Sequence, residues 1–380
     1  MKFLLIYVPN LRFSYKGDWS KRKLNEICLF FKGNGLSKSD LSNEGFPCIL
    51  YGELYTTYKN EVISDIISKT NTTLSNPFLS RNNDLIIPGS GEDPIDIAVA
   101  RAIYQNDIIL GGDLNILRPK SNVSAAFLSY QLNGVRRYDI AKKAQGKSIV
   151  HLHNSDLKEV LVSIPSYDEQ LHIVKLLTKI DEMIETQSKI IDTLSSQKKQ
   201  IRNLIFKDIH KNANCCIQDY VIYEQPQKYI VHSTDYLSYG KDYTPVLTAN
   251  QSFILGYTLE KDGIYEKGDC IIFDDFTNEN KYVDFPFKVK SSALKILQTK
   301  EGLMLKFFYE YLQFLNFEST DHKRHYLSEV AVTDISVPNL KEQTFVCKIF
   351  TSFDNKLKNE EALLEKYRLQ KQFLLNNLFI

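Results

Sequence analysis

Residues 164–207 read IPSYDEQLHIVKLLTKIDEMIETQSKIIDTLSSQKKQIRNLIFK, and residues 337–380 read VPNLKEQTFVCKIFTSFDNKLKNEEALLEKYRLQKQFLLNNLFI. The two stretches align without a gap at a constant shift of 173 residues (337 − 164). The identical positions include Pro165 and Pro338, Glu169-Gln170 and Glu342-Gln343, Asp181 and Asp354, Gln197-Lys198 and Gln370-Lys371, and Phe206 and Phe379. Because an internal repeat fixes architecture, the chain is predicted to be a duplicated molecule with a globular part before each copy.

Both copies carry the same heptad pattern, in which steps of four and three residues alternate. The first copy has Ile173, Leu177, Ile180, Ile184, Gln187, Ile191, Leu194, Lys198, Ile201 and Ile205. The second copy has Val346, Phe350, Phe353, Leu357, Glu360, Leu364, Tyr367, Lys371, Leu374 and Leu378. Such spacing is typical of a helix that packs along another helix. Each copy is therefore predicted to form a helix of about 37 residues, roughly 55 Å long at 1.5 Å per residue.

The polar interruptions of this pattern predict how the two helices pair. They are Gln187 and Lys198 in the first copy and Glu360 and Lys371 in the second. An antiparallel coiled coil that aligns these polar layers places Lys198 opposite Glu360 and Gln187 opposite Lys371. A parallel pairing would instead bring the two lysines together. The alternative is two independent core helices, each packing on its own domain.

Composition limits the class of protein. A length of 380 residues predicts two or three domains. The 47 basic residues nearly balance the 46 acidic ones, whereas a nucleic-acid-binding protein that acts alone is usually more basic. Any such role therefore requires a partner that supplies positive charge. The six cysteines form no CxxC pair, which predicts free thiols in the cytoplasm and no metal site.

The lengths of the apolar segments limit any role in export or membrane insertion. The apolar run at the start of the chain, residues 3–8, is too short for a signal peptide and no small-residue cleavage site follows it. No other segment approaches the length that spans a bilayer, so no membrane association is expected.

Four segments follow from these patterns: a first globular domain (1–163), a helical repeat (164–210), a second globular domain (211–336) and a distal helical repeat (337–380). The first domain is predicted to open with a helix from Trp19 to Phe31. Its predicted strands and helices after that are Phe46–Tyr51, Asp84–Pro88, Ile108–Gly111, Leu114–Arg118, the helix Ser124–Gly134 and the strand Glu159–Ile164. The second domain repeats this order, with strands at 268–272 and 294–297 and a helix at Glu301–Leu315.

The sequence contains no complete catalytic motif, so no catalytic residue is assigned. The sequence Gly89-Ser90-Gly91 lacks the third glycine of a dinucleotide-binding loop. Asn76-Pro77-Phe78 has one proline where the motif of amino-methyltransferases has two, and no phosphate-binding lysine loop is present. These absences favour a protein that binds rather than catalyses.

The chain resembles the specificity (S) subunits of type I restriction-modification systems. The resemblance covers the whole chain and is most specific at Pro165 with Glu169-Gln170, at Pro338 with Glu342-Gln343, and at the Trp19 to Ile27 opening. It implies an α+β molecule in which two target recognition domains are joined and separated by two long helices, which form an antiparallel coiled coil with a pseudo-twofold internal repeat. The second domain departs from this pattern because it lacks a counterpart of residues 1–18.

The resemblance also implies function and partners. Each recognition domain would read one half of a bipartite site in double-stranded DNA, and the helices would set the spacing. The chain would itself bind no cofactor. It would join two methyltransferase (M) subunits that use S-adenosylmethionine and two restriction (R) subunits that use ATP and Mg. The competing hypothesis is a non-catalytic coiled-coil adaptor with two protein- or peptide-binding domains.

Residues for DNA contact are predicted from side-chain chemistry, since basic groups meet phosphates and polar groups read base edges. In the first domain they are Lys59, Arg81, Ser90, Arg101, Arg136, Arg137, Lys142, Lys143 and Lys147. In the second domain they are Asn250, Gln251, Asn278, Asn280, Lys281, Lys288, Lys290, Lys323 and Arg324.

Overall fold

A computed structural model of the protein describes residues 9–15, 17–240, 242–248, 253–317 and 325–380. The described residues divide into two compact units: the first contains residues up to 188 together with 362–380, and the second contains 189–361. Each unit combines helices and strands, which confirms the predicted α+β class.

The first unit is built on a five-stranded sheet with the strand order β2-β11-β7-β9-β5. Its elements are β1 (Ser20–Lys23), α1 (Leu24–Ile27), β2 (Cys28–Lys32), β3 (Leu41–Ser42), β4 (Phe46–Ile49), α2 (Glu53–Thr56), β5 (Val62–Ile63), β6 (Ser68–Thr70), β7 (Asp84–Pro88), β8 (Ser90–Gly91), α3 (Pro94–Ile97), β9 (Arg101–Ile103), β10 (Ile109–Leu110), β11 (Leu114–Pro119), α4 (Ala125–Asn133), α5 (Arg137–Ala141), β12 (Val150–His151), α6 (Asn154–Lys158) and β13 (Leu161–Ile164). Strand β7 is buried along its whole length. Its residues 85–87 form a continuous apolar run, which is typical of a strand covered on both faces. The predicted bounds of this strand match the observed ones.

The second unit uses a similar central arrangement. Its four-stranded sheet has the order β15-β21-β18-β19. Its elements are β14 (Cys215–Cys216), α8 (Ile217–Tyr220), β15 (Val221–Glu224), β16 (Thr244–Leu247), β17 (Ile254–Thr258), β18 (Cys270–Asp274), β19 (Asn280–Val283), β20 (Lys288–Val289), β21 (Leu294–Thr299), α9 (Leu305–Leu315) and β22 (Asp334–Ile335). Strand β21 lies antiparallel between β15 and β18, as β11 lies antiparallel between β2 and β7.

Two long helices complete the molecule, α7 (Tyr167–His210) and α10 (Leu340–Asn377). Within the second unit their segments run antiparallel, because Lys198 contacts Asp354 whereas the later residue Phe206 stacks on the earlier residue Phe350. The antiparallel direction inferred from the polar layers therefore holds in this unit. No helix among the described residues is long and apolar enough to cross a membrane.

One element differs from its prediction. The stretch from Trp19 to Phe31, predicted as a helix, contains strands β1 and β2 with a single helical turn, α1, between them. Strand β1 pairs with β13 and β2 pairs with β11, so sheet pairing across the domain overrides local helical spacing. The prediction of a helix is wrong because the residues of this stretch belong to strands of two different sheets.

The repeated Glu-Gln pair explains how each long helix attaches to its globular part. In the first unit, the Gln170 side-chain oxygen accepts from the backbone N–H of Ser124, the N-cap of α4, at 2.9 Å. Its Nε2 donates to the carbonyls of Asn122 and Pro165. Both polar ends of this buried amide are thereby satisfied, as burial requires.

Gln343 makes the same contacts in the second unit. Its side-chain oxygen accepts from the N–H of Met304, the N-cap of α9, at 2.7 Å. Its Nε2 donates to the carbonyls of Gly302 and Pro338, each at 2.8 Å. The glutamine is therefore a fixed joint between the start of a long helix and the N-terminus of a domain helix.

We expect Gln170→Ala to lower the free energy of unfolding of the first unit by about 1–3 kcal/mol, because a buried N–H and two carbonyls lose their partner. Urea unfolding followed by the fluorescence of the single tryptophan, Trp19, measures the change. Gln372→Ala, an exposed glutamine in the same unit, serves as the matched control. Equal stability of the two variants would contradict the role assigned to Gln170.

Candidate functional site

A buried ion cluster joins the two long helices to the globular part of the first unit. The Nζ of Lys371 on α10 lies 2.6 Å from a carboxylate oxygen of Asp181 on α7 and 2.6 Å from one of Glu61. Tyr130 on α4 also donates its hydroxyl to Asp181 at 2.6 Å. The cluster therefore ties both helices to the loop before β5 and to α4.

The second unit holds an equivalent cluster in which the repeats exchange roles. Here the lysine is Lys198 on α7, and its Nζ lies 2.6 Å from Asp354 on α10. Lys198 is also 3.1 Å from Glu310 on α9, and Lys306 approaches Asp354 at 2.5 Å. At the shift of 173 residues, Lys198 matches Lys371 and Asp181 matches Asp354, so each repeat gives its aspartate to the lysine of the other.

The lysines of the predicted polar layers contact aspartates of the opposite helix. Lys198 pairs with Asp354, and Lys371 pairs with Asp181. The globular parts add a further carboxylate to each lysine, Glu310 beside Lys198 and Glu61 beside Lys371. The placement of Lys198 opposite Glu360 and of Gln187 opposite Lys371 stays a prediction.

The two aspartates sit in opposite electrostatic environments. Burial, followed by repulsion from Glu61, raises the pKa of Asp181, and Lys371 offsets this only in part. Burial also opposes ionisation of Asp354, but hydrogen bonds from Lys198 and Lys306 outweigh it and hold the pKa of Asp354 below its usual value. The pKa of Asp181 is raised because a single lysine faces two carboxylates there. The pKa of Asp354 is lowered because two lysines hydrogen-bond to it.

These opposite shifts predict opposite responses to acid. Above pH 3.8 the folded first unit retains a proton on Asp181 that the unfolded chain has released, so this aspartate costs stability as pH rises towards its folded pKa. Asp354 instead contributes stability above pH 3.8 that is lost as pH falls through its lower folded pKa. Hydrogen exchange of each unit from pH 3 to 6, corrected for intrinsic rates, should show Asp181→Asn and Asp354→Asn changing the profiles in opposite senses. Parallel changes would contradict the assigned environments.

The residues predicted to contact DNA are not equally available. Those exposed to solvent are Lys59, Arg81, Lys142 and Lys147 in the first unit and Lys290 in the second. Lys142, Lys143 and Lys147 lie close in sequence, after α5 and before β12. Lys143, Arg136, Arg137, Asn280 and Lys281 are half-buried. The exposed cations are free to approach a phosphate, whereas the half-buried ones have part of their surface covered.

Two of the half-buried arginines already have partners within the chain. Arg136 donates to the backbone carbonyl of Ile380 at 2.8 Å, and Arg137 donates to that of Ile95 at 3.0 Å. These bonds use donors that a DNA phosphate would require.

Four further predicted residues are buried. Arg101 donates to the carbonyls of Leu54 and Tyr58, and the fully buried Lys288 pairs with Glu260 at 2.6 Å. The other two are Ser90 and Asn278. These contacts favour a scaffold role, in which the buried cations hold loops beside the sheets. The predicted Asn250, Gln251, Lys323 and Arg324 lie outside the described residues.

Sequence reasoning assigned no role to Gln170, Gln343, Asp181 and Asp354, although all four were visible as identities between the repeats. Most surface positions of the two long helices differ between the repeats. A polar residue that is identical in both copies therefore indicates that it makes the same contact in both units. In contrast, the pair of Asp84 and Arg118 left no repeated signal. Their two parallel hydrogen bonds, each 2.8 Å long, join β7 to β11.

Comparison with known proteins agrees with this architecture. Residues 16–196 match the family model described as "Type I restriction modification DNA specificity domain". Over 123 residues the chain is 48% identical to the Escherichia coli type I restriction enzyme EcoR124I/EcoR124II specificity subunit, a match covering 30% of each protein. It is 25% identical over 254 residues to the MjaIX specificity subunit of Methanocaldococcus jannaschii, covering 65% of this chain and 56% of that one. These matches therefore span about a third to a half of the curated relatives' lengths.

Solved structures share the fold over nearly the full chain. The S subunit of a type I restriction-modification system from M. genitalium has a TM-score of 0.66 at 18% identity, covering 98% of this chain and 99% of that one. A chain from a structure concerning assembly and conformational transition of the type I R-M system has a TM-score of 0.51 at 12% identity, covering 96% and 98%.

The fold and the duplicated joints define a two-unit protein whose α+β parts are carried on paired long helices. The family match covers residues 16–196, and the chain is similar to the specificity subunits of type I restriction-modification systems. The resemblance found in its sequence is thereby confirmed.

Proposed function

We propose that this chain is the DNA-specificity subunit of a type I restriction-modification complex. Each unit reads one half of a bipartite site, and the long helices hold the two halves at a fixed separation. The observation that carries the proposal is the family match over residues 16–196, combined with equivalent glutamine joints and lysine clusters in both units. Equivalent supports indicate that both units perform the same kind of task.

The chain acts without catalysing a reaction. In the proposed complex it binds double-stranded DNA together with two methyltransferase subunits, which carry S-adenosylmethionine, and two restriction subunits, which carry ATP and Mg. The near-zero net charge supports this division, because the nonspecific part of DNA affinity comes from cations and the chain offers little excess of them.

Selection from random DNA tests the proposal. The chain is mixed with a cognate methyltransferase and a library of random duplexes, and the bound DNA is sequenced. We expect two short conserved blocks separated by an unconserved spacer of constant length. A single block, or enrichment that does not require the chain, would contradict the bipartite model.

We propose that the cations after α5, which are the exposed Lys142 and Lys147 and the half-buried Lys143, contact phosphates rather than bases. The double substitution Lys142→Ala and Lys143→Ala should weaken binding of the complex equally on specific and unrelated DNA. It should also reduce the slope of log affinity against log salt by up to about 2, since each lost phosphate contact is worth about 0.9. Titrations at several salt concentrations measure both quantities.

The matched control is the pair Lys356→Ala and Lys358→Ala, two exposed lysines on α10. This pair should leave affinity and salt slope unchanged. An unchanged slope in the Lys142/Lys143 variant would remove these residues from the proposed DNA surface.

A further inference from the structure

The second unit has an open groove between the end of α7 and the start of α10. Its volume is about 720 Å³. It is lined by Leu204, Ile205, Asp208, Ile209, Asn212, Ser336, Pro338, Lys341, Glu342, Phe345 and Val346. Leu204 and Phe345 are 73% and 66% exposed. Large apolar side chains facing solvent together in a groove indicate an interaction surface.

The internal repeat shows what covers the equivalent place in the first unit. At the shift of 173 residues, Leu204 corresponds to Asn377, Glu342 to Glu169 and Phe345 to His172. Residues 9–15 lie along these three positions.

An arginine fixes that covering segment. The Arg12 guanidinium donates twice to the Glu169 carboxylate, both at 2.7 Å, and Glu169 is 1% exposed. Leu11 donates its N–H to the carbonyl of Asn377 at 2.9 Å. The ring of Phe13 lies 6.1 Å from that of His172, which also hydrogen-bonds Tyr15. The segment thus combines a bidentate arginine with aromatic contacts.

The second unit keeps the receiving side of this arrangement. Glu342 stands where Glu169 stands, and within the described residues no side chain hydrogen-bonds its carboxylate. Asp208 also lines the groove but is paired with Lys211 at 3.0 Å, and Lys341 is the basic residue of the lining. Phe345 offers a larger apolar surface than His172. The groove therefore retains an acid for an arginine and apolar walls for its neighbours, but no described segment of this chain lies there.

We propose that this groove docks an extended segment of a partner protein, with an arginine on Glu342 and an apolar side chain against Phe345 and Leu204. A second copy of the chain is a poorer occupant, because its own Arg12 is held on Glu169. This inference concerns assembly and does not depend on which DNA sequence the protein reads.

A peptide made from the chain's own covering segment tests the groove. The fluorescent peptide PNLRFSYKGD, residues 9–18, is titrated against the full chain and binding is followed by fluorescence polarisation. Glu342→Lys and Phe345→Asp should each weaken binding at least tenfold, and so should replacing Arg12 of the peptide by Ala. Both substituted residues are exposed, so folding should survive. Glu361→Lys, on the same helix, is the control and should bind like the original chain.

Three outcomes would overturn the proposal. The first is absence of binding. The second is binding that Glu342→Lys and Phe345→Asp leave unchanged, which places the peptide elsewhere. The third is self-association of the chain, seen by sedimentation, that Phe345→Asp abolishes, because the occupant would then be a second copy.

Discussion

Replacing Lys371 by alanine is expected to lower the free energy of unfolding of the first unit by about 3–5 kcal/mol. The substitution leaves Asp181 and Glu61, which are 6% and 7% exposed, facing each other without their shared cation. Burial opposes the charge of Lys371, yet the two carboxylates outweigh that effect and raise the pKa of this lysine. Removing one member of a buried ion cluster lowers the folding stability by more than the intact cluster adds to it, because the remaining charge is buried without a partner.

Trp19 makes this effect measurable in the first unit. Trp19 is buried, donates to Glu169 at 3.2 Å and packs against Phe127 and Phe379. Urea unfolding followed by its fluorescence should therefore report the loss directly. Lys366→Ala removes an exposed lysine of the same helix and should change stability by less than about 0.5 kcal/mol. Similar values for the two variants would contradict the importance of the cluster.

Exchanging residues 211–336 for the corresponding domain of another specificity subunit should change one half of the recognised sequence and leave the other half intact. Affinity for the original site should fall by at least about 10³-fold, the lower range of specific over nonspecific binding. The expectation follows from the fold, since each unit has its own sheet and its own core.

The exchanged domain must preserve two joints. Glu310 on α9 has to remain acidic for Lys198 and Arg202, and the N-cap of α9 has to receive Gln343. A control exchange that keeps the original residues 221–336 and replaces only residues 211–220 should keep the original specificity. Alteration of both half-sites by the domain exchange would show that the units do not read independently.

Much of the fold could be predicted because its signals are local or repeated. Strand β7 follows from an unbroken apolar run, and helix α4 follows from Ser124 as N-cap and Gly134 as its end. The two long helices follow from heptads. The opening at Trp19 was mispredicted because the pairing of β1 with β13 involves residues about 140 positions apart, which no local pattern reveals.

The candidate site was harder to predict for a related reason. The sequence shows that Lys142 and Lys288 are both basic but not that Lys142 is exposed whereas Lys288 is buried beside Glu260. Long basic side chains can end at solvent or at a buried acid, and only tertiary contacts decide between these states. The repeated Gln170 and Gln343 were recoverable, because a buried amide needs partners wherever the motif recurs.

Methylation-sensitive sequencing of DNA from cells that express a cognate methyltransferase, with and without this chain, tests whether the chain directs methylation to a bipartite site. We predict a bipartite adenine-methylated motif, two conserved blocks around a constant spacer, that appears only when the chain is present. An active methyltransferase that leaves the same methylation pattern with and without the chain would contradict the proposed function.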